Sequence, residues 1–434
     1  MVDQLLSGVT ELDLSSVGPA ARTSRWLADS GARVVKVGPP TKQSGVQIVP
    51  PFYAYSGHRG MECVLLDLKA GSGRDAFLRL AARADVVIES FRPGVVDRLG
   101  IGAAAVLAVN PGVVYCSTSG YGQHGPRSQW AGHDLNYLAV GGYLDCSGRA
   151  ADGGPALPGA TIGDAAGGGM QAVIAILAAL VQRAATGAGA YLDVSVADGG
   201  PALPGATIGD AAGGGMQAVI AILAALVQRA ATGEGAYLDV SVADGVVALM
   251  SLYVDEYFAT GEIPGPRHNI LTGRYACYDV YRCSDDRWIA VAAIEPHFYA
   301  NLCRALGCEQ WLAHQTDDAA QDAIRADFQA AIATRTRDEW VALLGPADTC
   351  VSEVATVPEL VHDAHLRARN VFVEASAPGE GTFEQVGWVF AGMDRDQPGP
   401  VVRDATITDT DALLGEVGYS AAEIAALREQ GVAA

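Results

Sequence analysis

The segment PGATIGDAAGGGMQAVIAILAALVQRAATG occupies residues 158–187, and it occurs again without change at residues 204–233. Each occurrence places an aspartate and a glycine run at the head of an apolar stretch of helical length. Each is then followed by AYLDVSVAD, which predicts a strand. One helix–strand unit is therefore present twice, and the fold has to accommodate both copies.

The repeated unit is 46 residues long. Its first copy, residues 153–198, and its second copy, residues 199–244, differ only in Ala188 against Glu234. Solenoids need three or more units with diverged sequences. Two nearly identical units indicate a tandem duplication instead. The tripeptide Ala-Asp-Gly recurs at the ends of both copies, as slippage between short direct repeats would leave it.

The residues around the repeat predict an α/β protein. Before it, apolar segments such as GARVVKV and ADVVIES alternate with helix-like segments such as GRDAFLRLAARA, which favours a parallel sheet covered by helices. After it, a long helix from residue 246 precedes two paired strands, YACYDVYRC and RWIAVAAI. We expect a large α/β domain over residues 1–245, a smaller α+β domain over 246–355, and a C-terminal segment, 356–434, that returns to the large domain.

The charge of the chain is uneven. Its net charge of −20 argues against nucleic acid as a partner. Residues 1–100 nevertheless carry an excess of two positive charges, and all three lysines, Lys36, Lys42 and Lys69, lie there. An anionic ligand would therefore sit on the N-terminal portion, unless the imbalance is due to chance.

The composition also predicts the cellular setting. The longest uncharged apolar run, residues 165–181, is short for a membrane span and contains a glutamine and three glycines, which favours a buried helix. The N-terminus has no basic start and no long apolar run, so we expect no secretion signal. The eight cysteines form no CxxC pair, which is typical of reduced thiols. We expect a cytoplasmic protein with no membrane partner.

Two weak motifs suggest other chemistry. Residues 71–76, GSGRDA, follow a strand and open a helix like a dinucleotide loop, but the acid expected about 20 residues later is not well placed. His362 and His365 could hold a metal, but no third ligand presents itself. We therefore expect neither a dinucleotide cofactor nor a metal.

Three stretches carry better candidates. His133 stands between a glycine turn and a helix start in WAGHDLNY, and Glu295 ends an apolar strand in AIEPHFY. Asp164 and its twin Asp210 head the apolar helices of the two copies, where a helix dipole stabilises a carboxylate. Each has a purely structural alternative, because an aspartate there can simply cap its helix and a lone histidine can be part of the core.

The order of the motifs decides between these readings. The chain resembles the class III CoA-transferase superfamily of the CaiB/BaiF type over nearly its whole length, apart from one extra 46-residue unit. The motifs that carry the resemblance are GARVVKV, LLDLK, ADVVIESFRPGV, NPGVVYCSTSGYGQHGP, AGHDLNYLAVGG, GDAAGGGM, VAAIEPHFY and VGYSAAEIAALR. The resemblance implies a Rossmann-like large domain and an interlocked homodimer.

The superfamily has two main activities. Its transferases move CoA between carboxylic acids through an aspartyl-CoA anhydride, and its racemases invert the α-carbon of 2-methylacyl-CoA thioesters. The histidine of AGHDLNY and the glutamate of AIEPHFY resemble the α-methylacyl-CoA racemase branch. The resemblance then implies an acyl-CoA racemase of fatty acid metabolism, with a CoA-transferase as the alternative. A protein that binds CoA without turnover is a third possibility.

The resemblance also implies roles for the candidate residues. His133 and the aspartate, Asp164 or Asp210, would be the two bases that move a proton across the α-carbon. Glu295 would orient His133, from the same chain or from the partner subunit. Amides at the helix start after the aspartate could stabilise the enolate. No cofactor is required, and coenzyme A enters as part of the substrate.

CoA contacts are implied at a further set of residues. A planar guanidinium such as that of Arg92 suits the CoA phosphates. The family's remaining contacts correspond to Asp67, Leu68 and Lys69 and to the segment that contains Gly132, Asp134 and Tyr137. This chain departs from the family at Gly38–Pro39, where relatives have an acid, so a contact could move to Lys36 or Lys42. An alanine after the aspartate and the preceding PGATI alter the acyl pocket.

Spacing alone does not choose the catalytic aspartate. Removing either copy restores the family's spacing. An extra unit is tolerated where the backbone is exposed and rich in turns. This condition is met both before the first aspartate and between the first copy's helix and strand. Asp210 is continuous with its own helix, strand and the helix after residue 246, so Asp210 is favoured over Asp164.

Overall fold

The computed structural model describes residues 5–15, 18–39, 61–199, 209–377, 379, 381–387, 391–396, 398–399, 401 and 410–430. For residues 199, 209, 210, 410, 413 and 416 it describes the backbone alone. Lys42 lies outside the described residues, as does the side chain of Asp210.

Six parallel strands form the central sheet, in the order β3-β2-β1-β4-β5-β6. Their bounds are β1 Thr10–Asp13, β2 Arg33–Gly38, β3 Glu62–Leu65, β4 Val86–Glu89, β5 Val114–Ser119 and β6 Ala190–Ser195. This is the Rossmann order, in which the direction of winding reverses between β1 and β4. The α/β prediction is confirmed, and the sheet is entirely parallel.

Helices cover both faces of the sheet. The described helices of residues 18–199 are α1 Gly18–Asp29, α2 Gly71–Ala81, α3 Val95–Leu99, α4 Ala103–Val109, α5 Asp134–Val140, α6 Tyr143–Cys146, α7 Gln171–Thr186 and α8 Val196–Gly199. The side chains of β4 alternate, so that Val86 and Ile88 pack with α1 and α7 while Val87 packs with α2 and α4. Burial on both faces explains why these strands are continuous apolar runs.

The first copy of the repeat completes the sheet. Its π-helical segment Gly163–Met170 leads into α7, and its strand β6 pairs with β5 along Val114–Ser119. The glycine run allows α1 to approach closely. A Cβ at Gly168 would lie 2.7 Å from Pro19 Cβ, and Thr23 Oγ1 donates to Gly169 O at 3.2 Å. Small residues here therefore determine how tightly α1 packs.

The second copy has the same helix, but its described part, residues 209–244, forms no strand. Its π-helical segment Gly209–Met216 continues into α9 Gln217–Thr232, and α9 packs against α7. Residues 233–241, where AYLDVS predicted a strand, have no regular structure, and Tyr237 is 93% exposed. That prediction is wrong for the second copy, because the β5 edge is already taken by the first.

Both repeat helices are long and apolar enough to cross a membrane by length and composition. They span Gly163–Thr186 and Ala211–Thr232, and 83% and 22% of their apolar windows are buried in the protein. The buried helix predicted over residues 165–181 is confirmed. The second copy's helix instead presents apolar side chains, Val219 and Ile222 among them, at the surface.

The rest of the chain forms a smaller antiparallel sheet with helices. After α10 Val242–Leu249 and α11 Ser251–Thr260, the strands β7 Tyr278–Arg282, β8 Trp288–Ala292 and β9 Val351–Glu353 pair in that order, with helices α12 Pro296–Leu306, α13 Gln321–Ile332 and α14 Arg337–Leu344. The long helix predicted from residue 246 is two helices, which break at Met250. The boundaries at residues 245 and 355 stay predictions.

The C-terminal segment contacts the first copy. It contains α15 Val357–Leu360, α16 Ala364–Ala368, the hairpin β10 Phe372–Ala377 and β11 Gly381–Val386, then α17 Thr410–Glu416 and α18 Ala421–Glu429. Arg369 Nε donates to Asp198 Oδ2 at 2.7 Å, and its guanidinium also bonds Asp193. Ser420 and Glu423 form the predicted capping box of α18. All eight cysteines are free of disulfides.

We expect Arg369→Met to lower the free energy of unfolding by up to about 3–5 kcal/mol, because a buried ion pair loses one partner. Arg395 Nη1, which is 2.7 Å from Asp198 Oδ2, then remains as a cation beside Asp198. Arg369 is 1% exposed, whereas Arg33, the matched control, forms a surface pair with Glu62. Urea denaturation measures both variants. Equal midpoints for Arg369→Met and Arg33→Met would show that Arg369 does not hold the C-terminal segment in place.

Candidate active site

The histidine predicted from WAGHDLNY begins helix α5. His133 is the N-cap residue, and its amide donates to Asn136 Oδ1 at 3.0 Å. The side-chain amide of Asn136 in turn donates to Ala290 O at 3.2 Å and to Cys350 O at 3.0 Å. The start of α5 is thereby fixed to the small sheet. Asn136 is completely buried, and no motif in the sequence pointed to this role.

Glu295 reaches the same histidine from the end of a strand of the small antiparallel sheet. It stands between β8 and α12, as the N-cap residue before Pro296. His133 Nε2 and Glu295 Oε2 are 2.8 Å apart, and the two side chains are 23% and 30% exposed. The glutamate of the same chain makes this contact, so one chain is sufficient to build the pair.

The pair changes the acidity of both groups. Burial alone would lower the pKa of His133, but the charge and hydrogen bond of Glu295, with smaller effects from Asp164 and Asp134, raise it above its usual 6.5. Burial would raise the pKa of Glu295, but His133 lowers it below 4.5. Glu295 is therefore an ionised acceptor, and the Nε2–H of His133 donates to it.

Asp164 is the repeat aspartate beside His133. It lies in the first turn of the segment Gly163–Met170, whose N-cap residue is Ile162, so Asp164 does not cap its helix. Burial raises the pKa of Asp164, an effect that the charges of Arg22 and His133 partly offset. A carboxyl group with a raised pKa next to an imidazole can exchange protons near neutrality.

Asp134 fixes the backbone of Asp164. Its Oδ1 accepts from the Asp164 amide at 2.7 Å, and it also accepts from the Gly163 amide. The Ala165 amide donates to Thr161 O at 3.0 Å. The first amides of this helix are thus engaged within the protein, which contradicts the expectation that they stabilise an enolate.

Arg22 supplies a cation that the sequence analysis missed. It lies on α1, is 6% exposed and donates to Thr161 Oγ1 at 2.5 Å. Its charge lowers the pKa of Asp134 and of Asp164, against the opposite effect of burial. The signal that could have found it is an arginine on an otherwise buried helix face that is complementary to the glycine run.

A buried cysteine completes the cluster. One ligand atom each of His133, Glu295 and Cys350 lie within 4.8 Å of one another. Burial raises the pKa of the Cys350 thiol well above its usual range, with a further contribution from Glu295. A protonated thiol is neither a nucleophile nor a good metal ligand. The expectation of a metal-free site stays a prediction.

Arg92 follows strand β4, and its guanidinium contacts two residues next to the small antiparallel sheet. Its Nη2 is 2.8 Å from Asp348 Oδ1, and its guanidinium stands 5.8 Å from the centre of the Phe298 ring, in the first turn after Glu295. The Arg92 side chain is 42% exposed. Donors on this guanidinium are accessible to an anion from solvent.

Several of the other residues to which the resemblance assigns CoA contacts are bonded to groups of this chain instead. Lys36 Nζ is 2.6 Å from Asp13 Oδ2, and its side chain is only 10% exposed, so its charge is already neutralised. Tyr137 Oη donates to Gly132 O at 2.5 Å. Asp67 Oδ1 accepts from the Lys69 amide in the turn before α2, next to the half-buried Leu68. Lys69 itself is exposed.

The sequence of this chain matches one family model and is similar both to racemases and to CoA-transferases. The sequence model of CoA-transferase family III matches residues 6–203 and again 196–402. The chain is 31% identical to the alpha-methylacyl-CoA racemase of Mus musculus over 85% of this chain and 82% of that protein. It is 28% identical to the acetyl-CoA:oxalate CoA-transferase of Acetobacter aceti, with 85% of each covered.

A solved structure covers almost the whole chain. It is that of a CAIB/BAIF family protein from Brucella suis, which is 23% identical over 95% of this chain and 99% of its own, with a TM-score of 0.42.

We expect Glu295→Gln to lower the pKa of His133, because the substitution removes the charge that opposes burial. Nitrogen-15 NMR titration of labelled histidine measures the shift. Glu309→Gln, at an exposed site shortly after helix α12, is the control and should leave the His133 titration unchanged. A titration unchanged in Glu295→Gln as well would contradict the pairing.

Proposed function

This chain belongs to CoA-transferase family III, and we propose that within this family it is an acyl-CoA racemase that inverts the α-carbon of a 2-methylacyl-CoA thioester. The observation that carries the proposal is the grouping of an imidazole, His133, with a partly buried carboxyl group, Asp164, whose charges influence each other's pKa. Two acid–base groups at one site are what inversion through a proton transfer requires.

The proposed reaction uses no group beyond the side chains and the thioester. The carbonyl of the thioester acidifies the α-hydrogen. One base removes this proton from one face, the C–H electrons form an enolate, and the other group donates a proton to the opposite face. With Nε2 turned to Glu295, we assign the transferred proton to Nδ1 of His133. The imidazolium that forms then opposes the charge of the enolate.

The raised pKa values of His133 and Asp164 suit a pair of groups that together hold one proton. Either His133 is neutral and Asp164 protonated, or His133 is an imidazolium and Asp164 a carboxylate, and each form starts the reaction in one direction. The raised pKa of Asp164 makes its protonated form accessible. We propose Asp164 as the catalytic aspartate, whereas the sequence analysis favoured Asp210. The reason is that Asp164 is the aspartate whose described side chain lies beside His133.

Arg92 supports binding of the CoA part of the substrate. We propose that its exposed guanidinium contacts a CoA phosphate, because a planar array of donors matches phosphate oxygens. The ion pair with Asp348 would orient it. A homodimer and a cytoplasmic location stay predictions from the sequence.

CoA transfer is the second candidate, favoured by the identity to the acetyl-CoA:oxalate enzyme. In that reaction the aspartate acts as a nucleophile, for which it must be ionised, and a histidine is not needed. The raised pKa of Asp164 and the His133–Glu295 pair favour proton transfer instead.

We expect the enzyme to incorporate deuterium at C2 of a 2-methylacyl-CoA in heavy water. His133→Ala, and separately Asp164→Asn combined with Asp210→Asn, should each slow this exchange by about 10²–10⁴-fold, the usual contribution of a general acid–base group. Mass spectrometry measures the label. CoA transfer to an added acid with no label at C2, retained in His133→Ala, would contradict the proposal.

The rate of racemisation should have a bell-shaped dependence on pH. The rate should fall at alkaline pH as His133, whose pKa is raised above 6.5, loses its proton. It should fall at acid pH as Asp164, whose pKa is raised above 3.8, gains a proton. In Glu295→Gln the alkaline limb should move to lower pH, because the pKa of His133 falls. kcat/KM measured across the pH range tests this, and an alkaline limb that does not move would contradict the assignment to His133.

A further inference from the structure

The first copy of the repeat is held in place by many residues outside the repeat, and its helix α7 also packs against α9 of the second copy. We call the position that it occupies the repeat site. Its backbone pairs with β5, and its glycine run packs against Pro19 and Thr23 of α1. Its charged groups also have partners from the unique part of the chain. Arg183 bonds Asp85, Asp193 accepts from the Gln123 amide, and Asp198 bonds Arg369.

The second copy carries the same group at every one of these contacts. The residues 46 positions later are Gly214 and Gly215 in the glycine run, and Arg229, Asp239 and Asp244. Arg229, Asp239 and Asp244 are exposed in this structure. None of the partners at the repeat site can therefore distinguish the two copies by chemistry.

The second copy also keeps the internal geometry of the first. A Cβ at Gly168 would lie 3.0 Å from Val196 Cγ2, and one at Gly214 would lie 2.9 Å from Val242 Cγ2. The Asp198 amide donates to Ser195 Oγ at 3.3 Å, and the Asp244 amide donates to Ser241 Oγ at 3.2 Å. The second copy is thus preformed at its helix start, and the regular structure it lacks is the strand pairing.

The one difference between the copies does not select between them. Ala188 and Glu234 each follow a helix C-terminus in the same turn, with the amide 3.2 Å from the preceding threonine Oγ1, and both are exposed. Either copy could fill the repeat site with the same contacts. The two cases then differ only in the chain segments that connect the copies to the rest of the protein. Connections that differ in loop length change the free energy slowly, by about 0.6 kcal/mol for each doubling of the loop.

We propose that the chain has two arrangements, in which either the first or the second copy fills the repeat site and the other copy lies outside the sheet. In the second arrangement residues 236–241 pair with β5, Arg369 bonds Asp239 and Asp244, and Asp210 takes the place of Asp164 beside His133. Asp210 is then a second catalytic aspartate, a consequence that rests on the proposed function. The exchange of copies itself does not.

The test places a charge in the strand of one copy at a time. Leu192 is 2% exposed under the C-terminal segment, and Leu238 is its counterpart. Leu192→Asp puts a carboxylate where it would be buried without a partner, so the first copy is excluded from the repeat site. Leu238→Asp is the matched control, and the double variant excludes both copies.

Hydrogen exchange measured by mass spectrometry reads out which copy is in the sheet. Peptides over residues 187–195 and 233–241 have different masses, because one contains Ala188 and the other Glu234. We expect protection in the first peptide for the unmodified protein and for Leu238→Asp. In Leu192→Asp we expect protection to move to the second peptide, with a melting temperature well above that of the double variant.

The proposal is overturned if neither peptide is protected in Leu192→Asp and this variant has the melting temperature of the double variant, while Leu238→Asp has a higher one. Activity adds a separate readout. With Leu192→Asp present, deuterium exchange at C2 should be lost on Asp210→Asn and retained on Asp164→Asn. If protection moves between the peptides but no variant catalyses exchange, the two arrangements stand and the racemase function fails.

Discussion

The edge of β5 with which β6 pairs is the constraint on which the rest of the structure depends. A parallel sheet gains its last strand only by hydrogen bonds along one edge, and here that edge has room for a single six-residue strand, Ala190–Ser195. Once the first copy pairs there, its π-helical segment and α7 are placed over the sheet against α1. Asp164 is carried with them to the start of α5, next to His133. The second copy has the same sequence, and its described part, residues 209–244, packs mainly through its helix.

The site joins the helices of the parallel sheet to the small antiparallel sheet through a few polar contacts. Asn136 attaches the start of α5 to β8, and Glu295 extends from the end of β8 to His133. From the other side, Asp134 fixes the backbone of Asp164, and Arg22 places a cation beside both aspartates. Because these groups are mostly buried, each shifts the pKa of its neighbours more than it would in water. The pairing of an imidazole of raised pKa with a carboxyl group of raised pKa follows from this arrangement.

Much of this could be predicted from the sequence, and the remainder could not for identifiable reasons. Apolar runs and turns located the strands, and the order of motifs pointed to His133 and Glu295. Arg22 and Asn136 are buried polar residues that stand next to other buried polar residues, Thr23 and Ser24 in α1 and Asp134 in α5, and no spacing marks them. The choice between Asp164 and Asp210 has a different cause. Identical copies carry identical local signals, so sequence reasoning could weigh only their connections.

The account can be tested most directly by a crystal structure of the enzyme with a bound 2-methylacyl-CoA thioester. The α-carbon should lie between the ring of His133 and the carboxyl group of the repeat aspartate in the sheet, with one group on each face and both about 3–3.5 Å away. The account would be contradicted by a complex in which the aspartate faces the thioester carbonyl carbon in line for attack and His133 lies away from the substrate.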